Sequence, residues 1–173
     1  MERSKKIVIT AHCVLNQNSV VYPCARKMKD FSEKISGFLE KNIGIVQLPC
    51  PEMKIYGLKR WGHVKDQFMN THFEDVSKAL LEDYVKQVRD YIDNGYEILG
   101  VYGIDQSPSC GINETCVSSE WYGEIDTADR KKIDSVSIIK EKGRFMEIFE
   151  KMLLEIGIKI NFFKIKYYKK LSL

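Results

Sequence analysis

The feature that most constrains this chain is a repeated change of hydrophobic period. Short runs of β-branched and other apolar residues alternate with segments whose apolar residues recur every three or four positions. Residues 6–11 (KIVITA) form the first short run and predict a strand. Across residues 25–42, Met28, Phe31, Ile35, Phe38 and Leu39 fall on one helical face. Residues 44–49 predict a second strand, and a polar, aromatic loop is expected over 52–71. Phe73, Val76, Leu80, Tyr84, Val88 and Ile92 mark a long helix, which Asn94 and Gly95 stop. Residues 97–104 predict a third strand. Residues 143–156 predict a helix with Phe145, Phe149, Met152, Leu153 and Ile156 inward and Gly157 as its stop. Residues 158–165 alternate as a fourth strand. Residues 113–142 carry little pattern and are expected to form a long loop with a short strand at 136–139.

The order β-α-β-α-β-loop-α-β implies an α/β fold: a three-layer αβα sandwich around a mostly parallel, Rossmann-like sheet of four to five strands. The 173 residues suit a single α/β domain over 1–173. Right-handed crossovers place the strand C-termini on one edge. Ligands of such sheets bind at that edge, where the strand order reverses.

Charge and hydropathy exclude several classes. A net charge of +3, from 27 Lys and Arg against 24 Asp and Glu, gives no footprint for nucleic acid or for a membrane surface. No stretch reaches the roughly 18 apolar residues of a membrane span. The N-terminal apolar run is shorter than a signal peptide requires. A cytoplasmic protein, monomeric or homodimeric, is expected. Its five cysteines then read as metal ligands, catalytic groups or small buried hydrophobes rather than disulfides.

Three of those cysteines share one setting. Cys13 ends IVITAHC, Cys50 follows GIVQLP, and Cys110 sits in DQSPSCG after the third strand. In a parallel sheet all three lie at the same edge. Three convergent thiolates suit a soft metal, zinc or an iron–sulfur cluster. Pro49, Pro51, Pro108 and Gly111 flank the latter two, stiffening the loops that present them. The alternative is a set of small buried hydrophobes at strand ends.

These segments carry a resemblance. AHCVLN, PCPE and SPSCG resemble the signature segments of the 2-thiouracil desulfurase family, the TudS-like desulfidases, over residues 7 to about 160. KEKGRFMEIFEKMLLEIGIKI is similar to that family's closing glycine-helix-strand unit. The resemblance implies a [4Fe-4S] cluster held by Cys13, Cys50 and Cys110, with one iron free of protein ligands. It also implies a small thiolated substrate, a thiouracil-like heterocycle, whose sulfur binds that iron and leaves by non-redox hydrolysis, C=S becoming C=O. Glu52, Ser107 and Ser109 would lie beside the open iron. A carboxylate there can deprotonate the attacking water, which makes Glu52 the first candidate for the base, against a solvated loop carboxylate or a helix N-terminal acid. The chain departs from the family after Cys13, where Asn16 stands in a glycine's place, and after Glu52, where MKIYGLKRWG lacks the first glycine and the proline of the usual pattern. The departures fall in loops expected to touch substrate.

Other residues offer competing roles. His12 neighbours Cys13, but strand alternation points it to the opposite face and favours a structural role. His63 sits in the aromatic loop and can approach a substrate; His72 opens the long helix as a cap or solvated residue. Cys24 lies outside the matched segments, as does Cys116, which offers a fourth ligand that would close the site. Tyr56, Arg60 and Trp61 can grip a planar ring or pin the loop to the core. The basic, aromatic stretch KIKYYKK over 164–170 reads as a solvated edge strand before an RNA contact. No phosphate-binding glycine loop or nucleophile elbow occurs. Besides the desulfidase, two function classes stay open: a metal-independent cysteine-nucleophile hydrolase or transferase, and a non-catalytic zinc or Fe–S protein.

Overall fold

The computed structural model of the protein describes residues 3–22, 24–25, 29–123 and 129–165. The elements run β1 (Lys6–Thr10), α1 (His12–Leu15), α2 (Lys29–Glu40), β2 (Gly44–Gln47), α3 (Pro51–Tyr56) and α4 (Thr71–Asp93). They continue with β3 (Glu97–Gly103), β4 (Thr115–Val117), α5 (Arg130–Asp134), β5 (Ser137–Ile139), α6 (Arg144–Glu155) and β6 (Phe162–Lys164). Single 3₁₀ turns occupy Gln17–Ser19 and Lys65–Phe68.

The main sheet has the order β2-β1-β3-β6 and every pairing is parallel. Strand β1 lies inside it, so Val8 and Ile9, which point to opposite faces, are both fully buried. From β1 the chain steps outward to β2; the later strands lie on the other side of β1. The order therefore reverses between β1 and β3. Right-handed crossovers put α2 on one face and α4 and α6 on the other. Phe38 of α2 meets Tyr102 of β3 edge to face at 5.2 Å. Helices α4 and α6 pack together, and Arg144 bridges them to Glu74 at 2.8 Å. The mostly parallel sheet flanked by helices is the αβα architecture expected from the sequence.

Four local expectations are corrected. The loop over 52–71 contains α3 and a 3₁₀ turn. Pro51 suits the first helical position, and the Cys50 sulfur accepts the Met53 N–H at 3.4 Å as an unusual N-cap. The chain leaves β1 before Ala11 and turns helical at His12. The expected strand over 158–165 narrows to Phe162–Lys164, because Ile158 returns its N–H to Leu153 to close α6, with Gly157 at φ +75°. Within 113–142, β4 pairs antiparallel with β5. The expected helical residues 26–28 and the basic tail 166–173 lie outside the described residues. Among the described residues, no helix is long and apolar enough to cross a membrane.

Candidate active site

A cavity of about 200 Å³ opens at the C-terminal edge of the sheet, where the ends of β1, β2 and β3 meet. Cys13, Cys50 and Cys110 all line it, each from a different strand end. So do Cys24 and Cys116; all five cysteines of the chain face one cavity.

Each sulfur is set by its own local structure. Cys13 lies in α1, and Gln17 donates its side-chain amide to the Cys13 carbonyl. Cys50 caps α3. Cys110 ends a loop tied on three sides. The Asp105 carboxylate accepts the Ile112 and Asn113 N–H groups at 3.1 and 2.8 Å, and Ser107 Oγ accepts the Cys110 N–H at 3.0 Å. The first N–H groups of α6 lack intrahelical partners, and they donate instead to this loop. Arg144 N–H reaches the Pro108 carbonyl at 2.9 Å and Phe145 N–H the Ser109 carbonyl at 3.0 Å. Such close backbone approach needs glycine. A Cβ on Gly111 would collide with the Glu114 carbonyl oxygen, and one on Gly143 would lie 2.5 Å from the Ser109 carbonyl carbon.

Beside the sulfurs lies a buried polar network. Glu52, in the first turn of α3, is 7% exposed. Its Oε1 accepts the Ser109 hydroxyl at 2.6 Å, and its Oε2 pairs with Arg60 Nε at 3.2 Å. Ser107 Oγ lies 3.4 Å from Ser109 Oγ, extending the chain of hydroxyls. Arg60 also donates to the Gly57 carbonyl at 3.2 Å and the Ser19 carbonyl at 2.5 Å. The guanidinium is thus committed to protein groups and braces the loop. Trp61 and Tyr56 do not line the cavity; they pack on His63, at centroid distances of 5.1 and 4.5 Å. Of the three residues read as a grip on a planar ring, Arg60 lines the cavity, while Trp61 and Tyr56 pack in the neighbouring aromatic loop.

The electrostatics explain what the cavity wants. Burial, then the nearby Cys50 and Glu52, push the Cys13 thiol up to about 12. Burial, then Cys13 and Cys50, push Cys110 well above the ordinary thiol range. Burial, then Glu52, also raises Cys50, which the Met53 N–H and Arg60 partly offset. Three thiols that repel one another's charge stay protonated unless a cation joins them. A multi-iron cluster held by Cys13, Cys50 and Cys110 would supply such a cation. The donor set fits such a group. Among the described residues, no group of three or more His, Cys, Asp or Glu side chains is disposed to hold a metal ion.

Sequence reasoning placed Cys13, Cys50, Cys110, Glu52, Ser107 and Ser109 together, and they do meet. It set His12 aside on strand alternation, but the helical turn at His12 brings that residue to the cavity wall beside Cys13. Gln17 and Asp105 carried no motif that would have singled them out. Asp105 heads a Ser-Pro loop, where an acidic residue commonly accepts backbone N–H groups two or more positions on. Cys116 lies in β4, its thiol 3.6 Å from the His63 carbonyl.

No family model matches the chain, and no solved structure matches it. The uncharacterized protein MJ0003 of Methanocaldococcus jannaschii is 32% identical over 155 residues, covering 87% of this chain and 99% of that protein. At that identity, and with both chains covered nearly end to end, the chain belongs to the same family as MJ0003.

Proposed function

We propose that the protein is an iron–sulfur-dependent desulfidase acting on a small thiolated heterocycle, in a reducing, cytoplasmic setting. The observation that carries this reading is the convergence of Cys13, Cys50 and Cys110 on one cavity that also holds Glu52 and Ser109. The resemblance of their segments to the TudS-like desulfidases supports it. A [4Fe-4S] cluster held by the three cysteines would keep one soft Lewis-acid position, which suits a thiocarbonyl sulfur and draws electrons from its carbon.

The chain's own groups supply the rest. Water adds its oxygen to the thiocarbonyl carbon, the C–S bond breaks, and both water protons leave with the sulfur as hydrogen sulfide. Glu52 has one lone pair on each oxygen engaged by Ser109 or Arg60, and the others stay open to accept a proton from water. The Ser107–Ser109 hydroxyl chain ends on Glu52 Oε1 and gives that proton a route toward the departing sulfur. Arg60 holds the carboxylate in place through its own two backbone anchors.

The test is anaerobic reconstitution with iron and sulfide, followed by iron analysis, the visible spectrum and sulfide release with 2-thiouracil. A brown protein with about four irons, whose spectrum shifts with the ligand and which releases sulfide, is expected. An iron-free, colourless protein overturns the reading. Cys50→Ser is expected to lose most of its iron; wild-type iron content in that variant removes the ligand assignment.

A second reading rests on Cys116 lining the same cavity. A fourth thiolate there makes a saturated, non-catalytic cluster. In that case the visible spectrum ignores 2-thiouracil, and Cys116→Ser restores the shift. A metal-independent cysteine nucleophile is disfavoured, because burial raises the thiols of Cys13, Cys50 and Cys110 and leaves little thiolate.

A further inference from the structure

His63 is buried at 7% exposure, lines the cavity, and takes no part in the mechanism above. Its Nδ1 is sealed from solvent with no hydrogen-bond partner among the described residues. Buried polar atoms are rarely left so without a functional reason. The ring is also locked. Tyr56 stacks on it at 4.5 Å with planes 27° apart, Trp61 lies at 5.1 Å and Phe68 at 5.2 Å. Phe68 in turn stacks on Phe73 of α4 at 4.3 Å, so the column of rings is anchored in the core. Trp121 fixes the adjoining loop by donating its indole N–H to the Gly62 carbonyl at 2.8 Å. An imidazole held by rings across its faces meets the cavity with its edge.

We propose that His63 is a substrate-contacting residue, whose imidazole edge hydrogen-bonds a ring N–H beside the thiocarbonyl. This rests on the desulfidase reading and narrows its substrate class to cyclic thioamides and thioureas that carry such an N–H. A neutral imidazole keeps one unprotonated nitrogen, which can accept that N–H. Burial, opposed by Glu52 and reinforced by Arg60, lowers the imidazole below its ordinary value and keeps that lone pair available near neutral pH. Glu52 acts at the carbon while His63 orients the ring, so the two roles are separable.

The test compares wild type, His63→Phe and His63→Gln, all reconstituted with iron. His63→Phe keeps a flat ring in the column and removes both nitrogens; His63→Gln restores an acceptor. Iron content, the dissociation constant for 2-thiouracil from the visible-band shift, and kcat/KM are read for each. His63→Phe is expected to keep wild-type iron and lose about five- to a hundredfold in affinity and kcat/KM, with partial rescue in His63→Gln. An analogue methylated on both ring nitrogens that flank the thiocarbonyl, which cannot donate from either, is expected to bind wild type and His63→Phe alike. Equal binding of 2-thiouracil by wild type and His63→Phe overturns the role of His63 and leaves the desulfidase reading standing. A wild-type protein without iron or spectral shift overturns both.

Discussion

Arg60 and Glu52 form an ion pair at the site in which both residues are buried, at 8% and 7% exposure. Removing one member of such a pair leaves the other charge in a low-dielectric setting without a counterion. Arg60→Met is therefore expected to destabilise the protein by about 3–5 kcal/mol, read as the urea midpoint of the iron-free protein. Glu52→Gln also leaves Arg60 without its counterion, but the amide oxygen still accepts from Ser109 and the guanidinium keeps its Gly57 and Ser19 carbonyl partners. It is expected to retain iron and to lower turnover by about 10²–10⁴-fold, the usual contribution of a general base; undiminished turnover removes Glu52 from that role. The thiols offer a further check. Cys24 is exposed, whereas Cys13 and Cys110 have thiols raised by burial. Alkylation of the iron-free protein at pH 8 should mark Cys24 first and Cys13 and Cys110 last by peptide mass analysis. Early labelling of Cys110 contradicts the burial described here.

Among the elements, the tie between α6 and the Cys110 loop carries the sharpest consequence. Gly111→Ala forces a methyl group against the Glu114 carbonyl, and the loop must shift to admit it. A destabilisation of about 1–3 kcal/mol is expected, with a larger relative loss of iron, since Cys110 moves with the loop. Unchanged melting and unchanged iron would show that the loop yields freely. The same region shows what the sequence made legible. Long periodic segments such as α4 and α6 were plain, because a buried helical face leaves a repeating mark in one stretch of chain. The strand ends and their cysteines were equally visible. Helix α3 was hidden, since its cap is a sulfur and its six residues are too few to show a period. His12 was placed on the face away from Cys13 because one helical turn, formed right after β1, replaces alternation by rotation. The Arg60 brace on Ser19 joins positions far apart in sequence, which no local pattern reports.

For the whole molecule, the buried histidine predicts a pH dependence. His63 has its folded value lowered below the unfolded one, roughly 6.5. As pH falls through that range the unfolded chain takes up the proton first. The stability linked to a neutral His63 is thus fully present above the unfolded value and is lost as pH falls toward the folded one. Iron-free wild type should lose more melting temperature between pH 8 and pH 5 than iron-free His63→Phe. Parallel curves for the two proteins contradict a buried, neutral imidazole.

The grip of α6 on the Cys110 loop also has a consequence for the order in which a growing chain becomes competent. The last sulfur is in hand by residue 110, but the N–H groups that hold its loop belong to residues 143–146. A nascent chain that has released all three cysteines still lacks the clamp. On the proposed cluster reading, iron loading would be a late event that waits for α6 to emerge from the ribosome. A fragment ending before Gly143 should bind little iron even though it contains every proposed ligand.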